Sequence, residues 1–166
     1  MQHSGVATIR QANTADDFEA FGVLVREYVA SLPFVLDFQD IEAELAALDH
    51  EYGPPGGGVL LAESGGEVVG CVGVRPLEPP AIAELKRMYL RPHARGRGIG
   101  RALAAAALDL AAQLGYGSVR LDTVSELEAA GAVYRKLGFV EIPPYRHNPV
   151  PTAHFYELNL DKAGSR

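Results

Sequence analysis

The sequence predicts an α/β protein, and three observations support that class. Short apolar runs that suit strands are interspersed with longer segments whose apolar residues recur every three or four positions, as in amphipathic helices. A glycine-containing turn, Ser64–Gly66, joins two of the strand-like runs and predicts a β-hairpin. A later strand-like run feeds a glycine-rich turn that opens an alanine-rich helix. The resulting order along the chain is β-α-α-β-β-β-α-β-α-β-β.

Helix caps and chain breaks set the predicted boundaries. A helix is expected from Asn13 to Leu32, because Asn13 or Thr14 can cap its N-terminus and acidic residues fill its first turn. Glycine adopts the left-handed conformation at helix C-termini, so Gly115 and Gly138 end two later helices. The other predicted elements are the strands Val6–Arg10, Val59–Glu63, Glu67–Val74, Ala81–Leu90, Ser118–Thr123, Phe139–Ile142 and His154–Leu160, the helices Asp40–His50, Ile99–Gly115 and Glu126–Gly138, and a loop at 75–80.

Length and composition exclude several classes of protein. A chain of 166 residues predicts one domain, spanning 1–166. The net charge of −6 argues against a nucleic-acid partner, because no excess of Lys and Arg tracks a phosphate backbone. No apolar stretch reaches the roughly 18 residues of a membrane span, so no membrane partner is expected. Cys71, the single cysteine, suits a buried thiol in a reducing compartment, and we expect a cytoplasmic protein.

A basic, glycine-rich segment stands out in this acidic chain. In RGRGIGR (95–101), three arginines alternate with three glycines where the predicted strand Ala81–Leu90 passes into a helix. The first N–H groups of a helix have no intrahelical partner and carry partial positive charge, and glycine lets an anion approach them closely. The segment therefore predicts a pyrophosphate site.

Three phosphate-binding motifs can be compared with this segment. A P-loop needs a Gly-Lys pair, which the chain lacks. A dinucleotide-binding G-x-G-x-x-G needs a third glycine where Arg101 or Leu103 stands, although Asp122 keeps that alternative open as a ribose-binding acid. The pattern [QR]-x-x-G-x-[GA] is satisfied from Arg95 to Gly100. A tight turn with a solvated rim of arginines is the remaining alternative.

The chain resembles the GNAT superfamily of N-acetyltransferases in two segments. ELKRMYLRPHARGRGIGRAL (84–103) is similar to the family's strand, pyrophosphate loop and helix, and AVYRKLGFVE (132–141) to its later helix–strand signature. The resemblance implies a GNAT-like mixed, mostly antiparallel central sheet of six to seven strands flanked by about four helices. It also implies that acetyl-CoA binds as co-substrate, with no metal, at Met88, Tyr89, Leu90, Arg95, Gly96, Arg97, Gly98, Ile99, Gly100 and Arg101.

The implied reaction is direct attack of a primary amine on acetyl-CoA, through a tetrahedral intermediate. The amine must be deprotonated, the carbonyl oxygen stabilised and the thiolate helped to leave. The resemblance assigns these tasks to Glu84 as base, the backbone of Met88–Leu90, and Tyr134 as acid. Both side chains have alternatives, because Glu84 can pair with Lys86 or Arg87 and Tyr134 can be a core aromatic.

One position departs from the family pattern. Leu127 stands where many members carry an asparagine that binds the pantetheine arm. The polar contact is therefore lost or supplied elsewhere, and Ser125 and Glu126 are the candidates for supplying it.

The acceptor is expected between the first two helices and the loop before the last strand, as in the superfamily. A small molecule or an amino acid is favoured over a protein amino group, because the chain as a whole is mildly acidic. The candidate contacts lie within Tyr28–Phe38 and Pro143–His154, and they include Tyr145, Arg146, His147 and Asn148, with Glu27, Asp37 and Glu78 as candidate acidic partners.

Two further functions are open alternatives. A non-catalytic acyl-CoA-binding sensor or partner module would use the same loop, although the presence of Glu84 and Tyr134 favours an enzyme. A Rossmann-type nucleotide-binding protein is disfavoured by the missing third glycine and by the excess of strands over helices. Family members are often dimers, so a homodimer is a further expectation.

Overall fold

The computed structural model describes residues 7–34 and 38–160, which form a seven-stranded sheet flanked by five helices. The α/β class and the mixed, mostly antiparallel sheet are confirmed. In chain order the elements are β1 (Thr8–Gln11), α1 (Ala15–Ser31), α2 (Phe38–Ala46), α3 (Leu48–Glu51), β2 (Gly58–Ser64), β3 (Glu67–Glu78), β4 (Ile82–Leu90), α4 (Ile99–Gln113), β5 (Ser118–Val124), α5 (Glu128–Leu137), β6 (Val140–Ile142) and β7 (Ala153–Asn159).

The strands lie in the order β1-β2-β3-β4-β5-β7-β6, and one neighbouring pair among the described strands is parallel. That pair is β4 and β5, joined by the crossover through α4 that a parallel connection needs. Their pairing runs only from Ile82 opposite Ser118 to Glu84 opposite Arg120. Beyond Glu84 the two strands part, which opens the middle of the sheet.

Helices cover both faces of the sheet. On one face Phe21 of α1 packs edge-on against Tyr52, with ring centroids 5.2 Å apart. A methyl group at Gly73 of β3 would lie 2.6 Å from the Tyr52 ring, so this close approach requires glycine. On the other face Leu103 of α4 packs with Val119 of β5 in a second core cluster. None of the helices in the two described ranges is long and apolar enough to cross a membrane.

A capping box starts α1 and fastens it to the sheet. The hydroxyl of Thr14 accepts a hydrogen bond from the N–H of Asp17 at 3.1 Å, and the Asp17 carboxylate accepts from the N–H groups of Thr14 and Asn13. Arg10 of β1 donates to both oxygens of the same carboxylate, at 2.8 and 2.9 Å. Hydrogen bonds from Arg10 and from the Asn13 N–H hold the pKa of Asp17 well below its ordinary value.

We expect Asp17→Asn to lower the free energy of unfolding by about 2 kcal/mol at pH 7, because a capping carboxylate with charged partners is lost. The pKa of Asp17 is lower in the folded state than in the unfolded state, where it is about 3.9. The stabilisation is therefore present above about pH 4 and is lost as the pH falls towards the folded value. The difference in unfolding free energy between the wild type and Asp17→Asn should therefore shrink at acidic pH. Urea titrations of both proteins at neutral and acidic pH measure that difference.

Asp16→Asn is the matched control for that prediction. Asp16 lies in the same first turn and carries the same charge, but it is exposed. Its replacement should change the stability by less than about 0.5 kcal/mol. Equal losses for the two variants would show that Asp17 contributes only a general first-turn charge.

Two predicted boundaries were wrong. The expected single helix Asp40–His50 is two helices, because Ala47 leaves helical geometry at φ −133° and the chain turns so that Leu48 and Tyr52 enter the core. The expected loop at 75–80 is largely strand, because β3 continues opposite β4 to Glu78 and accommodates Pro76 at a register shift. The first predicted strand is found as Thr8–Gln11, and its expected first residue, Val6, lies outside the described residues.

Candidate active site

A cavity opens where β4 and β5 part. Residues of both strands line it, together with α1, the residues just after α1, α5 and the segment between β6 and β7. Met88 of β4, Asp122 of β5 and Tyr134 of α5 are among the lining residues. The cavity thus brings one of the predicted strand residues, Met88, together with the predicted acid, Tyr134.

A β-bulge shapes the β4 wall of the cavity. Tyr89 lies opposite Cys71 and Lys86 lies opposite Gly73, so two residues of β4 face a single residue of β3. Arg87, one of the two, has a φ of 61°, which is strained for a residue with a side chain. Four consecutive residues of β4, at 85–88, line the cavity at this bulge, and they include the neighbouring cations Lys86 and Arg87.

A buried ion pair holds the bulge in place. The Nε and Nη2 atoms of Arg87 donate to the two oxygens of Glu44 on α2, each at 2.8 Å. Tyr52 donates its hydroxyl to the same carboxylate at 2.9 Å. Burial acts to raise the pKa of Glu44, but its bonds to Arg87 and Tyr52 outweigh this and lower it. Glu44 is therefore ionised at neutral pH, and both of its oxygens are occupied by Arg87 of the bulge.

The glycine-rich loop presents uncapped helix N–H groups. Gly96 and Gly98 have φ values of 80° and 78°, and a methyl group at either position would meet nothing within 4 Å. Gly98 caps α4 without a side chain, and the first intrahelical bond runs from the N–H of Ala102 to Gly98 at 3.1 Å. The preceding N–H groups, from Ile99 to Arg101, donate to no backbone carbonyl within the described ranges. This geometry fits an anion.

The loop lies against the cavity wall. A methyl group at Gly100 would be 3.4 Å from Cδ1 of Leu90 and 4.0 Å from Cε of Met88, so the first turn of α4 packs closely on the end of β4. Arg95 donates from Nε to the carbonyl of Leu90 at 3.0 Å and lies 5.8 Å from the Tyr89 ring. Arg95 therefore fastens the loop to β4, which the sequence did not predict. Arg97 and Arg101 are exposed beside the open glycines.

Tyr134 lines the cavity from α5. The residue is only 6% exposed and its ring packs against Phe139. Within the described part of the chain no hydrogen bond engages its hydroxyl, and burial raises the pKa of the phenol. Tyr134 is thus a core aromatic that also lines the cavity and whose phenol is protonated at neutral pH.

Glu84 lies beside the cavity rather than in its lining. It is fully buried, and its carboxylate accepts hydrogen bonds from Arg75 Nε at 3.1 Å, from the hydroxyl of Tyr145 at 2.8 Å and from Arg146. The expected ion pairs with Lys86 or Arg87 are not the ones found. Glu84 instead anchors the segment between β6 and β7 onto the sheet.

We expect Glu84→Gln to lower the free energy of unfolding by about 3 kcal/mol, because two half-buried arginines lose their shared, fully buried carboxylate partner. The KM for the acceptor should rise more than kcat falls, since the freed segment forms part of the cavity wall. Urea unfolding and steady-state kinetics measure the two effects. Glu51→Gln is the control, because Glu51 also pairs with Arg75 but is more exposed and 3.6 Å away. A large loss of kcat with unchanged stability would instead identify Glu84 as the base.

Of four polar residues that line the cavity, two lie in the segments expected to contact the acceptor, Tyr28 and Asn148, and two were not expected to contact it, Lys86 and Asp122. Tyr28 and Lys86 line the cavity from α1 and β4, and Asp122 was considered only as a ribose-binding acid. Asn148, a predicted ligand contact, donates to Asp122 at 3.1 Å. The end of β4, the whole of α4 and the start of β5 lie between Lys86 and Asp122 in the chain, so no local pattern signals their proximity.

The remaining candidate contacts are engaged elsewhere. Ser125 bonds His154, and Glu126 accepts from Thr152, so neither replaces the missing asparagine in the cavity, where Leu127 itself lines the wall. Glu27 and Glu78 pair with arginines outside the lining. His147 is exposed, and Asp37 lies outside the described residues.

Comparisons with known proteins agree with this geometry. A profile of the acetyltransferase (GNAT) family matches residues 23–139. An uncharacterized N-acetyltransferase of Schizosaccharomyces pombe is 36% identical over 156 residues, which cover 93% of this chain and 96% of that protein.

Two solved structures share the fold. A GNAT-family acetyltransferase from Staphylococcus aureus Mu50 superposes with a TM-score of 0.78 at 22% identity, covering 93% of this chain and 99% of that chain. An acetyltransferase from Salmonella typhimurium, solved with acetyl-CoA, has a TM-score of 0.68 at 23% identity, covering 94% and 95%. The family profile spans most of the chain, and the S. pombe relative is similar over nearly its whole length. The chain therefore belongs to the GNAT acetyltransferase family and is an acetyl-CoA-dependent N-acyltransferase.

Proposed function

We propose that residues 1–166 form one domain that transfers the acetyl group of acetyl-CoA to the primary amine of a small molecule or amino acid. The observation that carries the proposal is the placement of Gly100 against Met88. It puts the uncapped N-terminus of α4 directly beside the cavity that Tyr134 lines. An anion-binding helix end and a proton donor thereby adjoin the same opening in the sheet.

The loop residues have the properties that acetyl-CoA requires. The open space at Gly96 and Gly98 and the N–H groups from Ile99 to Arg101 suit the pyrophosphate, with Arg97 and Arg101 exposed alongside. Arg95 takes part indirectly, by holding the loop against Leu90. The pantetheine and thioester then lie along the edge of β4 that β5 leaves unpaired, at Met88, Tyr89 and Leu90.

The chemistry follows from three groups around the cavity. The backbone at the bulge offers N–H groups for the carbonyl oxygen as it gains charge during attack by the amine. Tyr134 donates its proton to the departing sulfur, a role open to a phenol that burial keeps protonated, and the phenolate then regains a proton from the water that receives the proton of the amine. Glu84, held by three donors, acts by positioning the segment that carries Arg146, and water takes the proton of the amine.

Thiol release with an amine panel tests the proposal. Purified protein with acetyl-CoA should release CoA in the presence of a primary amine and not in its absence, and acetyl-CoA alone should raise the melting temperature by several degrees when in large excess. A melting shift with no turnover on any amine would favour the non-catalytic acyl-CoA-binding module. No shift with acetyl-CoA would overturn the loop assignment.

A further inference from the structure

We propose that Lys86 and Asp122 form the acceptor-recognition pair and that the acceptor is an amino acid with a free carboxylate next to its amine. The inference rests on the proposed function and specifies the acceptor of the same site. Lys86 belongs to β4 and Asp122 to β5, and both line the cavity just beyond the point where the strands part. The pair thus places one positive and one negative side chain in the wall that an acceptor must face.

The two charges are close but not tightly bonded. The Nζ of Lys86 is 3.6 Å from Oδ1 of Asp122, which exceeds the usual length of a charge-assisted hydrogen bond. The side chains are only 14% and 11% exposed, so both ions have lost most of their water. Asn148 donates to the other carboxylate oxygen at 3.1 Å. A ligand with both charges can therefore make two shorter contacts than the pair makes with itself.

The neighbouring charged side chains are already held by short contacts within the protein, so a ligand would gain less by replacing them. Arg87 uses Nε and Nη2 on the two oxygens of Glu44 at 2.8 Å. Glu84 is held by Arg75, Tyr145 and Arg146. Among the described cavity-lining residues, the loosely paired charges are those of Lys86 and Asp122.

The pKa shifts of Lys86 and Asp122 are consistent with each side chain taking an oppositely charged group of a ligand as its partner. Burial lowers the pKa of Lys86 despite the opposing charge of Asp122, so an incoming carboxylate would be a favourable partner for its ammonium. For Asp122, burial acts to raise the pKa, but Lys86, Arg146 and Asn148 outweigh it and lower it. Asp122 therefore stays ionised at neutral pH and is a better partner for an ammonium than a proton acceptor.

The arrangement selects by charge. An amino acid places its carboxylate on Lys86 and its amine on Asp122, with the apolar wall of Leu32 and Phe34 left for its side chain. A diamine would bring a second ammonium against Lys86, and like charges in a partly buried site repel. The amine of a peptide N-terminus has no adjacent carboxylate and would leave Lys86 without a ligand partner.

The test compares acceptors matched in side chain. The proteinogenic amino acids are screened by CoA release, and the best one is compared with its amide and its decarboxylated amine at one pH. We expect kcat/KM to be at least about tenfold higher for the amino acid. The amide has the less basic amine and hence the larger deprotonated fraction, so intrinsic reactivity works against the expected result.

Variants assign the preference to the pair. Lys86→Met should raise the KM for the amino acid by about tenfold and remove its advantage over the decarboxylated amine, whereas Lys86→Arg should keep the advantage. Lys136→Met, an exposed lysine on α5, is the control and should match the wild type. Asp122→Asn is a second test, because it should raise the KM for both the amino acid and the decarboxylated amine. Melting curves identify any variant that fails to fold.

The outcomes separate this inference from the proposed function. If the protein acetylates amines, diamines or peptides without preferring amino acids, Lys86 and Asp122 do not select the acceptor. The proposed acetyltransfer reaction is unaffected by that result. A preference that survives Lys86→Met also overturns the pair as a selector. If acetyl-CoA neither shifts the melting temperature nor is consumed with any amine, the proposed function fails and this inference fails with it.

Discussion

Tyr134→Phe should lower kcat by at least about a hundredfold while the KM for acetyl-CoA changes by less than about twofold. The reason is that general acid catalysis commonly contributes that factor, and the phenyl ring keeps the packing against Phe139. Within the described residues the hydroxyl makes no hydrogen bond, so its removal leaves no partner unsatisfied. Steady-state CoA release at saturating acceptor measures kcat.

Tyr156→Phe is the matched control. Tyr156 is 6% exposed, as Tyr134 is, and belongs to the same core cluster, but it does not line the cavity. This variant should keep the wild-type kcat. An unchanged kcat in Tyr134→Phe would show that the thiolate leaves without help from this residue.

Gly98→Asp should weaken acetyl-CoA binding by at least about a hundredfold relative to Gly98→Asn. The two side chains have the same shape, and both residues tolerate the left-handed φ of 78° better than most. Each charge pair at about 4 Å near a surface is worth roughly 4 kcal/mol, so a carboxylate beside a pyrophosphate is strongly repelled. Calorimetric titration with acetyl-CoA measures the difference.

Without ligand, Gly98→Asp should be the more stable of the two variants, although it binds acetyl-CoA more weakly. The reason is that a negative charge at the N-terminus of α4 favours the helix by about 0.3–1 kcal/mol. Greater stability with weaker binding would locate the anion at this helix end. Equal affinities for the two variants would place the pyrophosphate elsewhere and reduce the loop to a turn.

Most of the fold could be predicted because its signals are local. The caps at Thr14 and Gly138, the turn at 64–66 and the periodicity of α4 depend on residues close together in the chain. The break at Ala47 could not be predicted, since no glycine or proline marks it. Burial of Leu48 and Tyr52 against α1 and the sheet decides it, and such packing overrides local propensity.

In the candidate site, too, features that depend on neighbouring residues could be predicted, and contacts between distant residues could not. The glycine loop and α4 are contiguous, so the residue types that prepare a helix end for an anion can be identified from the sequence. Glu84 was noticed for its charge in an apolar run, but its three donors come from β3 and from the segment before β7. Its role as an anchor depends on contacts between distant residues, which one sequence does not reveal.

The sequence by itself determined the order of the strands and of the helices other than the short α3, the glycine-rich loop before α4 and the position of Tyr134 on its helix. Each of these depends on local periodicity, caps and glycine conformations. The tertiary structure alone decided which charges meet. The bulge at Arg87 breaks the regular pairing of β4, and the residues around it, including Lys86 and Arg87, line the cavity. The parallel register of β4 and β5, continued two residues beyond Glu84 and Arg120, places Lys86 opposite Asp122. The strands part after three residue pairs, which opens the cavity that both side chains line.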